Sequence, residues 1–189
     1  MSERREELIA KALDYFLEHG LAGLSLRPLA GQIGTSARLL VYHFGSKDGL
    51  ITAVMDEVRT RTQKSFAASA ARAERGTSEG IAKGSMRTFW AWTTHPANIP
   101  HLRLLFEVQV LALQNPDVYA RYLEGGSSSW LELIEDSLPP SRENHVLATL
   151  CAAVIDGLLL DYLSTGDRRR TTKALDLFSR LIQGQARDA

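Results

Sequence analysis

Apolar residues recur every three to four positions through most of the 189-residue chain, and no segment alternates with the two-residue period of a half-buried strand. Proline and glycine fall between the periodic segments, where they interrupt helices. The pattern predicts an all-α protein of about nine helices. The predicted helices run from a cap at Ser2 to Gly20, from Leu26 to Ile33, from Ser36 to about Phe44, from Ser46 to about Arg75, and then over Ser78–Thr94, His101–Gln114, Pro116–Leu138, Ser141–Ser164 and Arg168–Ile182.

The segment Ser25–Lys47 contains two short helices joined by a tight turn at Gly34. This is the layout of a helix-turn-helix, in which the second helix enters the major groove of DNA. Ala30 is small at the place where the two helices must cross closely. The spacing of the larger apolar residues predicts a shared core made of Leu13, Phe16, Leu29, Ile33, Leu40 and Phe44.

The remaining side chains of the second short helix are free to face outward, and their chemistry suits DNA. Arginine donates a fork of hydrogen bonds to guanine, methyl groups contact thymine, and hydroxyl, imidazole and ammonium groups reach phosphates. A helix N-terminus also favours anions. The candidate DNA-binding residues are Ser25, Arg27, Thr35, Ser36, Ala37, Arg38, Leu39, Tyr42, His43 and Lys47. Taken singly, Arg38 also fits a solvated surface arginine, Tyr42 a core aromatic residue and Ser25 a simple helix cap.

The stretch from Leu26 to Leu50 resembles the signature of the tetracycline-repressor (TetR) family of bacterial regulators. The most telling part is Leu40-Val-Tyr-His-Phe-Gly-Ser-Lys-Asp-Gly-Leu-Ile51, against a family pattern of approximately Leu-Tyr-Tyr-His-Phe-x-Ser-Lys-Glu-x-Leu. The sequence departs from the family at Val41, which replaces a frequent aromatic residue, and at Ala37, Arg38 and Leu39. These departures leave the operator sequence open.

The resemblance implies two functional domains. Residues 1–46 would form a helix-turn-helix DNA-binding domain, and residues 47–189 a helical effector-binding and dimerisation domain. It also implies that the DNA contacts fall on the residues named above other than Thr35, that the partner is a double-stranded DNA operator, and that a homodimer forms through the last two helices.

Charge first counts against a DNA-binding protein, because the chain carries 22 basic and 22 acidic residues. Up to Leu50 the balance is six against six, but the acids lie mainly on the first helix. Arg27, Arg38 and Lys47 share the expected DNA face with only Asp48. A local positive surface is therefore expected within a neutral chain.

The segment Val146–Leu163 is apolar almost all round and must be covered on most sides. Asp156 and Asp161 interrupt it, which argues against a membrane span. With the last helix it would build an intersubunit four-helix bundle, although packing within one subunit is the alternative. The stretch Val154-Ile-Asp-Gly-Leu-Leu-Leu160 also resembles a betaine-regulator-like subclass of the family.

Aromatic residues concentrate in the middle of the chain, and an apolar pocket with a few polar groups is the usual form of a small-molecule site. An effector there would be largely apolar. Plain core packing is the alternative for each residue. The candidate ligand-binding residues are Met86, Phe89, Trp90, Thr93, Phe106, Gln109, Val110, Leu113, Tyr122, Trp130 and Asp156.

No metal-ligand spacing, phosphate loop or nucleophile motif is visible, so neither an enzyme nor a metal or cofactor site is expected. The single cysteine, Cys151, and the absence of a leader pattern indicate a soluble cytoplasmic protein. The sequence therefore predicts a DNA-binding regulator, in particular a repressor released from its operator by a ligand. The alternatives are a helical protein-interaction module, or an activator without a small-molecule effector.

Overall fold

The computed structural model describes residues 3–74, 81–120, 122–123, 131–132, 134–136 and 143–188. Within these ranges no strand occurs, and helical residues are also found at 131–132 and 134–136. The prediction of an all-α fold with about nine helices is confirmed. The helices with defined bounds are α1 (Glu3–His19), α2 (Leu26–Gln32), α3 (Ala37–Phe44), α4 (Lys47–Glu74), α5 (Ile81–Thr93), α6 (Ile99–Gln114), α7 (Asn144–Thr165) and α8 (Arg168–Asp188).

Two helix bounds differ from the predicted ones for simple reasons. Pro100 was expected to precede a helix beginning at His101, but α6 begins at Ile99 and contains Pro100 in its first turn. Proline is tolerated there because the first amide groups of a helix have no partner within it. The last helix continues beyond Ile182 to Asp188, since no proline or second glycine stops it. Ser2 and most of the predicted helix Pro116–Leu138 lie outside the described residues.

The chain forms two compact units. The first contains residues 1–64 and 99–126, and the second contains residues 65–98 and 127–189. The predicted functional border between residues 46 and 47 divides the chain differently, because α4 and α6 bury side chains in the same core as α1, α2 and α3. That core combines Leu8, Leu13 and Phe16 of α1 with Leu29, Leu40, Leu50, Val54, Met55, Leu104, Val108 and Tyr119.

The second unit is organised around the aromatic residues of α5. Trp90 and Trp92 are buried, and the ring centroids of Phe66 and Phe89 lie 5.0 Å apart in an edge-to-face arrangement. The indole Nε1 of Trp92 donates to Ser65 Oγ at 3.1 Å. The Trp92 indole is therefore buried with its polar Nε1 group hydrogen-bonded.

Helices α7 and α8 form a hairpin in the second unit. Gly166 ends α7 with a φ of +72°, a left-handed conformation that glycine adopts without strain. Arg170 of α8 pairs with Asp161 of α7 at 2.7 Å across this turn, and the pairing holds the pKa of Asp161 below its usual value. The turn predicted at Gly166-Asp167 thus sets two long helices side by side.

Candidate nucleic-acid interface

The turn between α2 and α3 is built by local hydrogen bonds. Gly34 has a φ of +73°, and Thr35 N donates to the carbonyl oxygen of Ala30 at 2.9 Å. Ser36 then caps α3, because its Oγ accepts from Leu39 N at 3.1 Å. The turn therefore needs a glycine at residue 34 and a short polar side chain at residue 36.

The inner faces of α2 and α3 meet in the core of the first unit. Leu29 and Leu40 are fully buried, Ala30 and Ile33 are nearly so, and Phe44 is half-buried against the same cluster. Leu13 and Phe16 of α1 complete the cluster. The helix-turn-helix core expected from the spacing of apolar residues is thus the core that forms.

The outer face of α3 is left open to solvent. Tyr42 is 81% exposed, although it is a large aromatic residue, and Arg38 is exposed beside it on the same helix. The ring centroid of His43 lies 5.2 Å from that of Tyr42. Tyr42 is therefore not a core residue, and a polar and aromatic surface runs along α3.

The other candidate DNA residues occupy less uniform positions. Ser25, Arg27 and Lys47 are exposed, and Ser25 precedes α2 without using its hydroxyl as a cap. The hydroxyl of Ser36, by contrast, is occupied by the cap of α3. Thr35, Ala37 and Leu39 are half-buried, and the Oγ1 of Thr35 is buried without a hydrogen-bond partner in the described part of the chain.

Two acidic side chains of the first unit are engaged by hydrogen bonds or ion pairs. Asp48, the acid nearest to Lys47, accepts a hydrogen bond from Tyr119 Oη at 2.7 Å. Glu7 of α1 is paired with both Arg4 and Lys11, and these partners lower its pKa. Glu7 is thus engaged on its own helix, and Arg38 lies exposed on α3.

Four residues that support this face were missed by sequence reasoning. The guanidinium carbon of Arg5 lies 5.1 Å from the ring centroid of Phe44, so it brings a cation from α1 to the end of α3. Glu107 Oε2 of α6 accepts from Leu21 N, in the turn after α1, at 2.6 Å. Gly49 packs so closely against α3 that an added Cβ would collide with the carbonyl oxygen of Phe44. The fourth is Tyr119, the donor to Asp48.

Apart from the approach of Gly49 to Phe44, these contacts join residues far apart in the sequence, so no local pattern could reveal them. The glycine of the Ser46-Lys-Asp-Gly-Leu50 stretch was the only signal within reach. Its lack of a side chain next to a helix cap hinted at a close approach of two backbones.

Comparison with known proteins agrees with this geometry. Residues 8–54 match the model of the family described as "Bacterial regulatory proteins, tetR family". The chain is 26% identical to the transcriptional repressor AcnR of Corynebacterium diphtheriae over 191 residues, which covers 97% of this chain and 93% of AcnR. It is 29% identical to the transcriptional regulator BetI of Burkholderia thailandensis over 187 residues, covering 92% and 89%.

Residues 8–54 are a TetR-family segment, and the chain as a whole is similar to transcriptional regulators.

Solved structures show the same fold over nearly the whole chain. A TetR-family regulator from Cytophaga hutchinsonii superposes with a TM-score of 0.77 at 16% identity, covering 97% of this chain and 96% of that one. The multidrug binding protein EbrR in complex with imidazole gives 0.69 at 22% identity, with coverage of 96% and 90%. The relatives are transcriptional regulators and not enzymes. Among the described residues, no group of histidine, cysteine, aspartate and glutamate side chains is arranged to hold a metal ion.

The candidate ligand residues of this chain fall into both compact units. Met86, Phe89, Trp90 and Thr93 lie on α5 and Asp156 on α7, in the second unit. The first unit contains the candidates on α6 and the following turn, namely Phe106, Gln109, Val110, Leu113 and Tyr122. Trp130 lies outside the described residues.

Burial separates these candidates further. Val110 and Leu113 are exposed, whereas Tyr122 is buried in the core of the first unit, and burial raises its pKa to about 12. Thr93 is fully buried and donates its hydroxyl to the carbonyl oxygen of Trp90 at 3.0 Å. Trp90 lines a cavity of the second unit. Their assignment to a ligand site stays a prediction.

Proposed function

We propose that this regulator is a repressor, that it binds a two-fold operator as a homodimer, and that a small, largely apolar ligand releases it. In this proposal residues 1–46 read DNA, and residues 47–189 bind the effector and the second subunit. The observation that carries the proposal is the outer face of α3, where Arg38 and Tyr42 are exposed on a helix whose inner face is buried.

Each exposed side chain has a role that its position supports. Arg38 lies one residue into α3, where a recognition helix contacts base edges, and its fork suits a guanine. Tyr42, His43 and Lys47 lie at the other end and reach phosphates, as do Ser25 and Arg27 beside α2.

The methyl groups of the half-buried residues Thr35, Ala37 and Leu39 would contact thymine methyl groups, while Ser36 contributes mainly through its cap. Operator specificity would then rest chiefly on Arg38, since it is the exposed residue of α3 with a hydrogen-bonding fork.

The dimer is supported by apolar residues that α7 leaves uncovered. The exposed positions Val146, Leu150, Ala153, Gly157 and Leu160 are separated by four, three, four and three residues. This is the spacing of a seam that packs against another helix. Nothing lies within 4 Å of a Cβ added at Gly157, so the middle of the seam is open in one subunit.

Helix α8 carries a shorter seam of the same kind. Ala174, Leu177 and Leu181 are exposed at intervals of three and four residues. Two seams from each subunit fit the intersubunit four-helix bundle that we propose. By length and mean hydropathy (1.9), α7 could also cross a membrane. The seam and the two aspartates favour a second subunit, and therefore a cytoplasmic regulator.

A ligand can release the operator only if its affinity differs between two forms of the protein. A ligand shifts the equilibrium only if it binds the form that cannot hold DNA more tightly than the form that can. EbrR, a multidrug binding protein of the same fold, was solved in complex with imidazole, which supports small-molecule binding by this chain. A change in the separation of the two α3 helices, which must be about 34 Å for successive major grooves, would then release the operator.

The test is an anisotropy titration with the DNA upstream of the protein's own gene. We expect Arg38→Ala and Tyr42→Ala to weaken specific binding by about tenfold or more, because a good base or phosphate contact contributes roughly 1–3 kcal/mol. Arg61→Ala, an exposed arginine of α4, is the control and should bind as the native protein does. Unchanged affinity in both α3 variants would refute the DNA site.

A further inference from the structure

The second unit contains a cavity of about 650 Å³ between α5 and the first half of α8. This volume is within the range of small-molecule sites, roughly 300–1,000 Å³. Trp90 is the one candidate ligand residue among the described residues that line this cavity. Arg87 and Ala91 lie beside it on α5, and the remaining lining residues lie on α8, a helix expected only to dimerise.

The floor of the cavity is apolar and well anchored. Trp90 is 3% exposed, Leu175 is fully buried, and Ala91 leaves open space above them. Trp90 Nε1 donates to Thr172 Oγ1 at 2.8 Å. The Thr172 hydroxyl proton has no acceptor in the described part of the chain, so it can donate to a molecule in the cavity.

The rim of the cavity is positively charged. Arg168, Arg169 and Lys173 are exposed and form no ion pair with a described residue. Asp176, the acidic residue of the lining, is paired with Arg87 at 2.8 Å. These three cations are therefore exposed at the edge of an apolar floor.

The acidic residue that precedes Arg168 is engaged by Arg170. Asp167, at the start of α8, accepts from Arg170 N at 2.9 Å and lies 3.6 Å from the Arg170 side chain, so the cap and Arg170 engage it. Leu181 lies on the side of α8 opposite Thr172, since successive helical residues are turned by about 100°. Leu177 follows Lys173 by four residues and therefore lies beside the Lys173 edge of the cavity.

We propose that this cavity binds an amphipathic anion, with a carboxylate between Arg168, Arg169 and Lys173 and an apolar chain against Trp90, Ala91 and Leu175. The site is the place where the effector of the regulator binds, and that role rests on the function proposed above. A carboxylate fits the rim because charge-assisted hydrogen bonds from arginine are directional and strong. An apolar chain fits the floor because its own methylene groups leave water when they pack there, and Ala91 is an exposed apolar residue of the lining.

The test is calorimetry on the full chain with octanoate as the probe. Octanoate should bind, whereas acetate, which lacks the chain, and octylammonium, which reverses the charge, should bind at least about tenfold more weakly. Equal binding of acetate or octylammonium would overturn the proposal.

Variants locate the site. Arg169→Gln with Lys173→Gln should weaken octanoate binding about tenfold, and Ala91→Leu, which fills the apolar part without changing a charge, should weaken it as well. Arg180→Gln, an exposed arginine later on α8, is the matched control and should leave the affinity unchanged. All of these positions are exposed, so folding, checked by thermal melting, should be retained. Native-like affinity in both the charge and the filling variants would refute the site.

Operator release is measured separately, by anisotropy with and without octanoate. Loss of octanoate binding in the site variants tests the cavity alone. Binding without any change in operator affinity would contradict the effector role in the proposed function while supporting the cavity as an anion site.

Discussion

Gly49 and Asp48, both in the first turn of α4, determine how α3 is held. Gly49 allows α4 to approach the carbonyl end of α3 so closely that no Cβ fits between them. Asp48 accepts from Tyr119 Oη, and burial, followed by the bond to Asp48, raises the pKa of Tyr119 well above its usual range. The hydroxyl thus stays protonated and remains a donor at any physiological pH.

Gly49→Ala is expected to destabilise the protein by about 1–3 kcal/mol, because the added methyl group meets backbone rather than a movable side chain. The free energy of unfolding in urea measures this. Gly31→Ala in α2 is the control, since nothing lies within 4 Å of an added Cβ there and alanine favours a helix. Equal stability of the two variants would show that the packing at Gly49 is looser than described.

Tyr119→Phe is expected to lower stability by about 1–2 kcal/mol, because a hydrogen bond to a charged acceptor in a partly buried site is lost. Urea unfolding again measures the change. Tyr15→Phe serves as the matched control, since the Tyr15 ring stacks on His19 and its hydroxyl has no hydrogen bond in the described part of the chain. A loss of the same size in both variants would mean that the ring, and not the hydroxyl, accounts for the effect.

At the scale of elements, α6 and α7 show that a periodic pattern predicts an apolar helix face but not what covers that face. Both are apolar helices, but α6 buries Leu104, Val108 and Ala112 in the core of the first unit. Helix α7 leaves much of its apolar surface uncovered, including Leu150 and Leu160. A helix whose apolar face is open in one subunit needs another partner.

Leu160→Lys is expected to convert the proposed dimer into monomers, because a charge placed in an apolar helix seam loses its water without gaining a partner. Sedimentation velocity at micromolar concentration measures the change in mass. Val118→Lys in the turn after α6 is the control, since Val118 is 56% exposed and Leu160 is 54% exposed. If Leu160→Lys sediments like the native protein, the seam is not the dimer contact.

At the scale of the whole molecule, the net charge is zero, but the acidic and basic side chains are not equally free to act. The chain carries 22 residues of each sign, but Asp48 accepts from Tyr119 and Glu7 pairs with Arg4 and Lys11. In the proposed dimer, few phosphate contacts per subunit would suffice, because two subunits bind together. Affinity should therefore depend on salt through the contacts of both subunits.

Lys47→Gln is expected to reduce the slope of log affinity against log salt by about two for the dimer, one for each lost phosphate contact, and to weaken specific and nonspecific DNA alike. Arg38→Ala should mainly abolish the preference for the operator. Anisotropy titrations over a range of salt concentrations separate the two effects. An unchanged slope for Lys47→Gln would place this residue away from the phosphates.

Short-range pattern was sufficient for the helical fold, for the core of the helix-turn-helix and for the family, because helix periodicity, caps and turn glycines act between residues a few positions apart. The same pattern predicted the turns at Gly34 and Gly166, where the structure has positive φ angles. The exposed residues of α3 could be predicted, because assigning its apolar positions to the core leaves the remaining positions facing outward.

Contacts between distant parts of the chain were decided only when the helices packed. Leu21 meets Glu107, Asp48 meets Tyr119, and Trp90 meets Thr172, each across more than 70 residues. Period alone says that a face is apolar but not which helix covers it. The candidate ligand residues were therefore distributed over two compact units, and the basic cavity beside Trp90 emerged only from the packing of α8 against α5, which brings side chains together regardless of their distance along the chain.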